Sequence, residues 1–193
     1  LLNHWKNKIN SLWLIPAAGS FLVAIAGIQV GYNETAWFFF AIGMMFGCGI
    51  LIIIIYKYIS DDKLLDHLIP SYFVPIVPPA LVSISYPMLT NWQAGDEISS
   101  LVRIMFYFSL FLLLFNLSMI KIFLWLDFSM GWWAYTFPLD TITIAVIVYA
   151  HSTENIHLQN IGIILLIAST VFIIYILGCT LIEIKRGNVF RSE

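Results

Sequence analysis

The sequence has little charge. Only 10% of its 193 residues are Asp, Glu, Lys or Arg, whereas about 25% is usual in soluble domains. Hydrophobic residues make up 61% of the chain, so too little polar surface remains to coat a soluble helical bundle. The composition therefore excludes a soluble protein and indicates an all-α, polytopic membrane protein with the lipid bilayer as its surroundings. No nucleic-acid partner is expected.

The sequence also lacks the residues of common catalytic sites. No phosphate-cradling glycine loop, metalloprotease motif or nucleophile–base pair is present. Cys48 and Cys179 both lie within apolar runs, and ordinary thiols are favoured there over a disulfide or a metal pair. The four histidines lie in loops or near membrane edges, where they do not suit a haem-binding subunit: His4, His67, His151 and His157. We therefore expect no enzymatic activity, no metal and no cofactor.

Long apolar stretches are the dominant positive feature. A membrane-spanning helix needs about 20 predominantly apolar residues, and six stretches satisfy this condition. They cover roughly residues 12–31, 36–57, 69–90, 98–120, 129–149 and 160–183. We expect residues 1–193 to form one transmembrane domain, and an incomplete one, because the chain does not begin with methionine.

The basic residues predict the orientation in the membrane. Eight of them fall on one side of the predicted spans: Lys6, Lys8, Lys57, Lys63, Lys121, Lys185, Arg186 and Arg191. Cytoplasmic loops are enriched in Lys and Arg, which predicts that both ends of this chain are cytoplasmic. Only Arg103 belongs to the other side. It could attract anions at a mouth, but an anchor that extends to the interface is favoured.

The prolines reveal a repeat. All seven lie in or beside the first, third and fifth stretches, and Pro16, Pro78 and Pro138 are spaced by about 60 residues. Proline removes a backbone N–H and frees a carbonyl group. In hydrocarbon, such a defect is tolerated only where protein or water satisfies the backbone. We therefore predict an inner ring of broken helices and an outer ring of regular ones. The alternative is that proline bends these helices only for packing.

Small and hydroxyl residues accompany the prolines. Small side chains permit close packing of helices or leave room for a lumen, and the sequence alone leaves both uses open. The candidate pore-lining or kink positions on this basis are Pro16, Gly19, Ser20, Pro75, Pro78, Pro79, Ser83, Pro138 and Thr141.

Three motifs resemble a known family. The run WWAYTFPLD at 132–140 follows IPSYFVPIVPPALVS at 69–83 and FFFAIG at 38–43. Together they resemble the slow-type anion channels of plants and their microbial relatives, the tellurite-resistance/C4-dicarboxylate transporter family. The resemblance covers nearly the whole chain, as helices five to ten of ten. It implies five helical hairpins in a ring around a central pore, three of which are present here, and protomers that commonly form homotrimers.

The resemblance also implies a gate. In this family the phenylalanine before the proline of the ninth helix occludes the pore, and the matching residue is Phe137. A hydrophobic constriction can close a channel by excluding water, and the break at Pro138 would let the ring move aside. The alternative is that Phe137 is one more packed aromatic among 15 phenylalanines.

Asp140 departs from the plant channels, which have small or hydroxyl residues near this position. A carboxylate in mid-membrane costs about 2.5–3.5 kcal/mol on insertion scales and is a candidate functional site. Asp140 lies three residues after Phe137, so both can share one helix face. One hypothesis is a protonated or proton-exchanging group that makes transport depend on pH. The other is a packing role, in which Asp140 caps backbone groups freed by Pro138 or bonds Thr136 or Thr141.

These features predict a transmembrane anion channel or facilitative anion transporter in the plasma or inner membrane. Expected substrates are small anions of the chloride, nitrate, malate or sulfite class. No Lys or Arg lies in mid-span, so selectivity is expected to come from the dipoles of broken helices and hydroxyl groups. The alternative function is a non-transporting membrane scaffold or a subunit of a membrane enzyme complex.

Overall fold

Six helices long and apolar enough to cross a membrane make up most of the protein. The computed structural model describes residues 11–59, 66–93, 96–124 and 126–187, and these residues contain no β-strand. The first to sixth spans are Ser11–Gln29, Asn33–Tyr58, Ile69–Leu89, Ser100–Ser118, Met130–Ser152 and Ile156–Arg186. The predicted all-α, multi-pass membrane class is confirmed. The bounds lie within a few residues of the expected stretches; the sixth span, for example, begins at Ile156 rather than at 160.

The first, third and fifth spans are broken, and each contains a change of helix type. Each begins as a 3-10 helix and continues as an α-helix. The pairs of segments are Ser11–Leu14 with Ile15–Gln29, Asp66–Ile76 with Val77–Leu89, and Met130–Tyr135 with Thr136–Ser152. The even-numbered spans are regular α-helices, Asn33–Ile59, Ser100–Ser118 and Ile156–Arg186, and the short helix Ile120–Leu124 follows the fourth span.

Four of the seven prolines lie at these changes of helix type, whereas Pro70 and Pro75 lie inside a 3-10 segment and Pro87 lies inside an α-helical segment. Pro16, Pro78 and Pro138 all fall in the first turn of the α-helical segment. Backbone N–H groups in a first turn have no partner within the α-helix, so proline loses little there. The expected interruptions are therefore present, but each is a junction between two helix types rather than a bend within a continuous α-helix.

The third span occupies the interior. The third span packs against the first, second, fourth and fifth, while the first pairs with the second and the fifth with the sixth. In the third span, 78% of the most apolar 18-residue stretch is buried, and in the fourth span 33%. The corresponding buried shares are 50% in the fifth span and 17% in the sixth. For the first pair the difference is small, 33% against 28%. The described helices thus form an arc in which the third span lies between the first and the fifth, while the first span is no more buried than the regular fourth.

Glycines bring the paired helices close together. A Cβ atom added to Gly43 of the second span would lie 3.2 Å from the carbonyl oxygen of Ala17 in the first span. A Cβ atom added to Gly162 of the sixth span would lie 2.9 Å from Cγ1 of Ile147 in the fifth. Such close approach favours van der Waals packing between helices in lipid, where the hydrophobic effect does not drive association.

The described basic residues lie mostly at one end of the spans. Lys57, Lys121 and Lys185 fall at one end of the alternating spans, and Arg103 lies near the start of the fourth span at the opposite end. Four basic residues used for the orientation lie outside the described residues, as does one histidine: Lys6, Lys8, Lys63, Arg191 and His4. The cytoplasmic assignment of the basic end remains a prediction.

Candidate permeation surface

The break in the fifth span positions the candidate gate. The 3-10 segment Met130–Tyr135 is held by aromatic packing: the Tyr135 ring lies 5.1 Å from Phe73 and 5.9 Å from Phe123, centroid to centroid. Two threonine hydroxyl groups satisfy backbone carbonyls around the break. Thr136 Oγ1 donates to the Trp133 carbonyl at 2.8 Å, and Thr141 Oγ1 donates to the Phe137 carbonyl at 2.7 Å. Both carbonyls also have a backbone N–H partner within the helix, so the hydroxyl groups add a second hydrogen bond at the junction.

Phe137 projects from the surface of the chain at this junction. Its side chain is 42% exposed, while Pro138 beside it is buried. Asp140, half-buried, and Ile144, 50% exposed, follow at intervals that share the same helix face. The three residues therefore form one continuous surface of the fifth span, and Phe137 is not part of the hydrophobic core among the described residues.

Asp140 makes no hydrogen bond or ion pair with any described residue. The hydroxyl groups of Thr136 and Thr141 both donate to backbone carbonyls. The packing alternative, in which Asp140 bonds one of these threonines, is therefore not formed in this structure. An acidic side chain without a partner in a membrane span is unusual, because such groups normally face one another, a cavity or water.

The candidate pore-lining or kink residues of the third span are all buried. Pro75, Pro78, Pro79 and Ser83 are buried, and Ser83 Oγ donates to the Ala80 carbonyl at 2.7 Å. Pro78 and Pro79 lie at the junction between the 3-10 and α-helical segments, and Pro75 lies inside the 3-10 segment. The surrounding spans cover this part of the third span, so its role in lining a pore remains a prediction.

The first span contains candidates on an open surface. Pro16 is exposed, whereas Gly19 and Ser20 are half-buried. An apolar groove of about 830 Å³ runs along the first and second spans, and Pro16 and Ser20 contribute to its wall. Ser20 Oγ donates to the Pro16 carbonyl at 3.2 Å, one helical turn earlier.

The hydroxyl groups near the three breaks share one feature. Ser20, Ser83 and Thr141 each donate their proton to a backbone carbonyl within the same helix. In this arrangement they present oxygen lone pairs, which do not attract an anion. The contribution of hydroxyl dipoles to anion selectivity stays a prediction.

A cavity at the opposite end of the spans was not predicted. It has a volume of about 240 Å³, lies among the third, fourth and fifth spans, and is lined in part by Asp96, Glu97 and Tyr149. Asp96 is positioned by the backbone N–H of Gln93, which donates to its Oδ2 atom at 2.9 Å. Asp96 and Glu97 are adjacent in the sequence, but no motif indicates that they line one cavity together with the distant Tyr149.

Within the described ranges, no three His, Cys, Asp or Glu side chains converge to hold a metal ion. Cys48 and Cys179 are both free, Cys48 exposed and Cys179 half-buried.

Comparison with known proteins assigns the family. The family model described as "SLAC1: Voltage-dependent anion channel" matches residues 2–181. S-type anion channel SLAH2 of Arabidopsis thaliana is 28% identical over 183 residues, which is 94% of this chain and 34% of that protein. Guard cell S-type anion channel SLAC1 of the same plant is 27% identical over 169 residues, 88% of this chain and 30% of the relative.

A bacterial protein is also similar. The tellurite resistance protein TehA homolog of Haemophilus influenzae is 26% identical over 196 residues, 96% of this chain and 54% of that protein. The chain spans about a third of the length of the plant relatives and about half of the bacterial one. With the family model covering most of its residues, the resemblance seen in the three motifs is confirmed: the chain belongs to the SLAC1 family of voltage-dependent anion channels.

Proposed function

We propose that the complete protein is a transmembrane anion channel or facilitative anion transporter. Family membership supports this function, since four relatives are named as S-type anion channels and none of the five is named for an enzymatic reaction. In this proposal the chain supplies three of five hairpins around a pore, and the assembly is a homotrimer in the plasma or inner membrane. Both ends of this chain are cytoplasmic, and the substrates are small anions of the chloride, nitrate, malate or sulfite class.

Phe137 occludes the pore in this proposal. The observation that carries it is the exposed aromatic ring at a helix junction, on the same face as a carboxylate that has no partner among the described residues. A bare aromatic ring offers no hydrogen bond to replace the hydration shell of an anion, so the ion meets a high barrier there. The junction at Pro138 gives the fifth span a place to bend and move the ring.

Helix dipoles supply the attraction for anions. The α-helical segments of the three broken spans all begin at the same end, at Ile15, Val77 and Thr136. None has an acidic residue in its first turn or a side-chain cap. No side chain therefore neutralises the positive ends of these helices, which continue directly from the preceding 3-10 segments.

The test compares two phenylalanines in the full-length protein reconstituted in liposomes. Phe137→Ala should raise chloride, nitrate, malate or sulfite flux, by about tenfold if the ring contributes about 1.4 kcal/mol to the barrier. Phe115→Ala is the matched control, because Phe115 is 45% exposed on the regular fourth span, near the same end. Its flux should equal that of the unmodified protein.

Two results would refute parts of the proposal. An unchanged flux in Phe137→Ala, alongside measurable flux in the unmodified protein, would remove the gate and leave the channel. An absence of flux for every anion in both proteins would favour the non-transporting scaffold or enzyme subunit.

A further inference from the structure

A hydrogen bond joins the sixth span to the fifth span next to the candidate gate. The Trp133 indole N–H donates to Thr180 Oγ1 at 3.1 Å. Trp133 lies in the 3-10 segment Met130–Tyr135, and Thr180 is a half-buried residue in the last third of the sixth span. The two residues are 47 positions apart in the sequence, so the bond is a tertiary contact between two spans.

The chemistry of the two side chains sets the direction of this bond. An indole N–H can only donate, so the Thr180 oxygen must accept. The Thr180 hydroxyl group uses its own proton to donate to the Ile176 carbonyl at 2.8 Å. A threonine or serine hydroxyl group can accept and donate in this way at once, whereas valine has nearly the shape of threonine and can do neither.

The contact with Thr180 continues to the candidate gate through the backbone. The Trp133 carbonyl accepts the backbone N–H of Thr136 and also its hydroxyl group, the latter at 2.8 Å. Thr136 is the first residue of the α-helical segment, and Phe137 follows it directly. Trp133 is therefore bonded to the sixth span on one side and to the neighbour of Phe137 on the other. A shift of Trp133 would displace the start of this α-helix and change the direction of the Phe137 side chain.

Aromatic packing brings the same 3-10 segment against the sixth span. The Trp132 ring lies 6.3 Å from Phe172 and 6.4 Å from Tyr175, and the Tyr135 ring lies 5.9 Å from Phe172, centroid to centroid. Aromatic pairs are attractive in several geometries and over a range of distances. A hydrogen bond is more restrictive in distance and angle, so the bond to Thr180 fixes the position of the segment along the sixth span.

We propose that Thr180 is a positioning residue for the gate: its hydroxyl group holds Trp133 and, through Thr136, keeps Phe137 across the permeation path. This inference rests on the proposed function, because it concerns the occlusion by Phe137. It also gives the sixth span, the least buried of the six, an influence on the path without lining it. The competing explanation is that Trp133, which is 38% exposed, only anchors the chain at the membrane interface.

The first test removes the hydroxyl group in the full-length protein in liposomes. Thr180→Val should raise chloride, nitrate, malate or sulfite flux by about two- to tenfold, the factor expected when the occluded arrangement loses one ordinary hydrogen bond. Thr180→Ser keeps the hydroxyl group and should keep the flux of the unmodified protein. Thr170→Val is the matched control, because Thr170 is an exposed threonine of the same helix whose hydroxyl group donates to the Leu166 carbonyl of that helix. Its flux should not change.

The effect of Thr180 should require the Phe137 ring. In the Phe137→Ala background, Thr180→Val should raise flux no further, because no ring remains to be held; such non-additivity is the sign of coupled residues. An equal rise in both backgrounds would overturn the positioning role. Increased flux in Phe137→Ala with unchanged flux in Thr180→Val would refute this inference alone. Unchanged flux in Phe137→Ala would refute the gate and the inference together.

A second measurement detects the bond without reference to transport. In the full-length protein labelled with ¹⁵N at the tryptophan indoles, the Trp133 signal is the one that Trp133→Phe removes. Thr180→Val should shift this signal, because the indole N–H loses its acceptor, and Thr180→Ser and Thr170→Val should leave it in place. An unshifted Trp133 signal in Thr180→Val would contradict the bond.

Trp133→Phe also serves if Thr180→Val folds poorly, because it removes the same hydrogen bond from the donor side. Its anion flux should rise by a similar factor, and again only while the Phe137 ring is present. Unchanged flux in folded Trp133→Phe would overturn the positioning role of Thr180.

Discussion

Phe137 and Asp140 lie one helical turn apart on the exposed face of the fifth span, and they differ in how far the sequence predicted them. The family motif indicated Phe137, and the cost of an acid in mid-membrane indicated Asp140. Their shared face followed from helical spacing alone. The missing partner of Asp140 could not be predicted, because it depends on Thr136 and Thr141 bonding their own backbone instead.

The two hypotheses for Asp140 differ in their pH dependence. If Asp140 faces the permeation path, its ionised form repels anions and its protonated form does not. Anion flux of the full-length protein should then rise as the pH falls from about 8 to about 5. Asp140→Asn should hold the higher flux across the range.

Glu154→Gln is the control for the flux measurements at different pH, because Glu154 is an exposed acid in the loop before the sixth span. That variant should keep the pH profile of the unmodified protein. If Asp140→Asn has the same pH profile as the unmodified protein, the proton-linked role is wrong.

At the scale of helices, the prolines predicted which spans are interrupted. They did not predict that each interruption is a junction between a 3-10 and an α-helical segment. A proline in the first turn of an α-helix and a proline that bends a continuous helix look alike in a sequence. The difference here arises from tertiary contacts, since the 3-10 segments Asp66–Ile76 and Met130–Tyr135 pack against each other. The pairing of consecutive spans into hairpins was easier to predict, because two helices joined by a short turn pack as antiparallel neighbours.

Close packing of the last hairpin leads to a stability prediction. In Gly162→Ala the new methyl group would lie 2.9 Å from Ile147 Cγ1, so the fifth or sixth span must shift. Overpacking of this kind costs about 1–3 kcal/mol, which exceeds the roughly 0.5–1 kcal/mol that alanine gains over glycine in a helix. The thermal unfolding midpoint of the full-length protein in detergent should therefore fall.

Gly178→Ala is the matched variant on the same helix, because no atom lies within 4 Å of its added Cβ. Its midpoint should stay the same or rise. Equal midpoints for the two variants would show that the fifth and sixth spans are not packed as described.

Across the whole molecule, the described helices form an arc, and the permeation path is proposed to run along the exposed face of the broken spans. Composition and basic residues predicted six spans and their alternation, and prolines predicted which spans change helix type; the inner ring of broken helices stays a prediction. The enclosure of Ser83 and the burial of Pro79 could not be read from the sequence, because burial depends on which neighbours surround the third span. For the same reason, the open groove beside Pro16 was not foreseen.

The central claim is that water reaches the exposed face of the fifth span and that Phe137 restricts it. The most direct measurement is the rate at which a charged, membrane-impermeant thiol reagent labels Ile144→Cys in the full-length protein, with Cys48 and Cys179 replaced by serine. Ile167→Cys on the regular sixth span is the comparison. Ile144 and Ile167 are 50% and 59% exposed, and the contact of Ile147 with Gly162 places them at about the same depth.

Ile144→Cys should be labelled, and its labelling from the Phe137 side should accelerate when Phe137→Ala is added. Ile167→Cys should stay unlabelled in both backgrounds. Equal labelling of the two cysteines, or no labelling of Ile144→Cys even without the Phe137 ring, would contradict it.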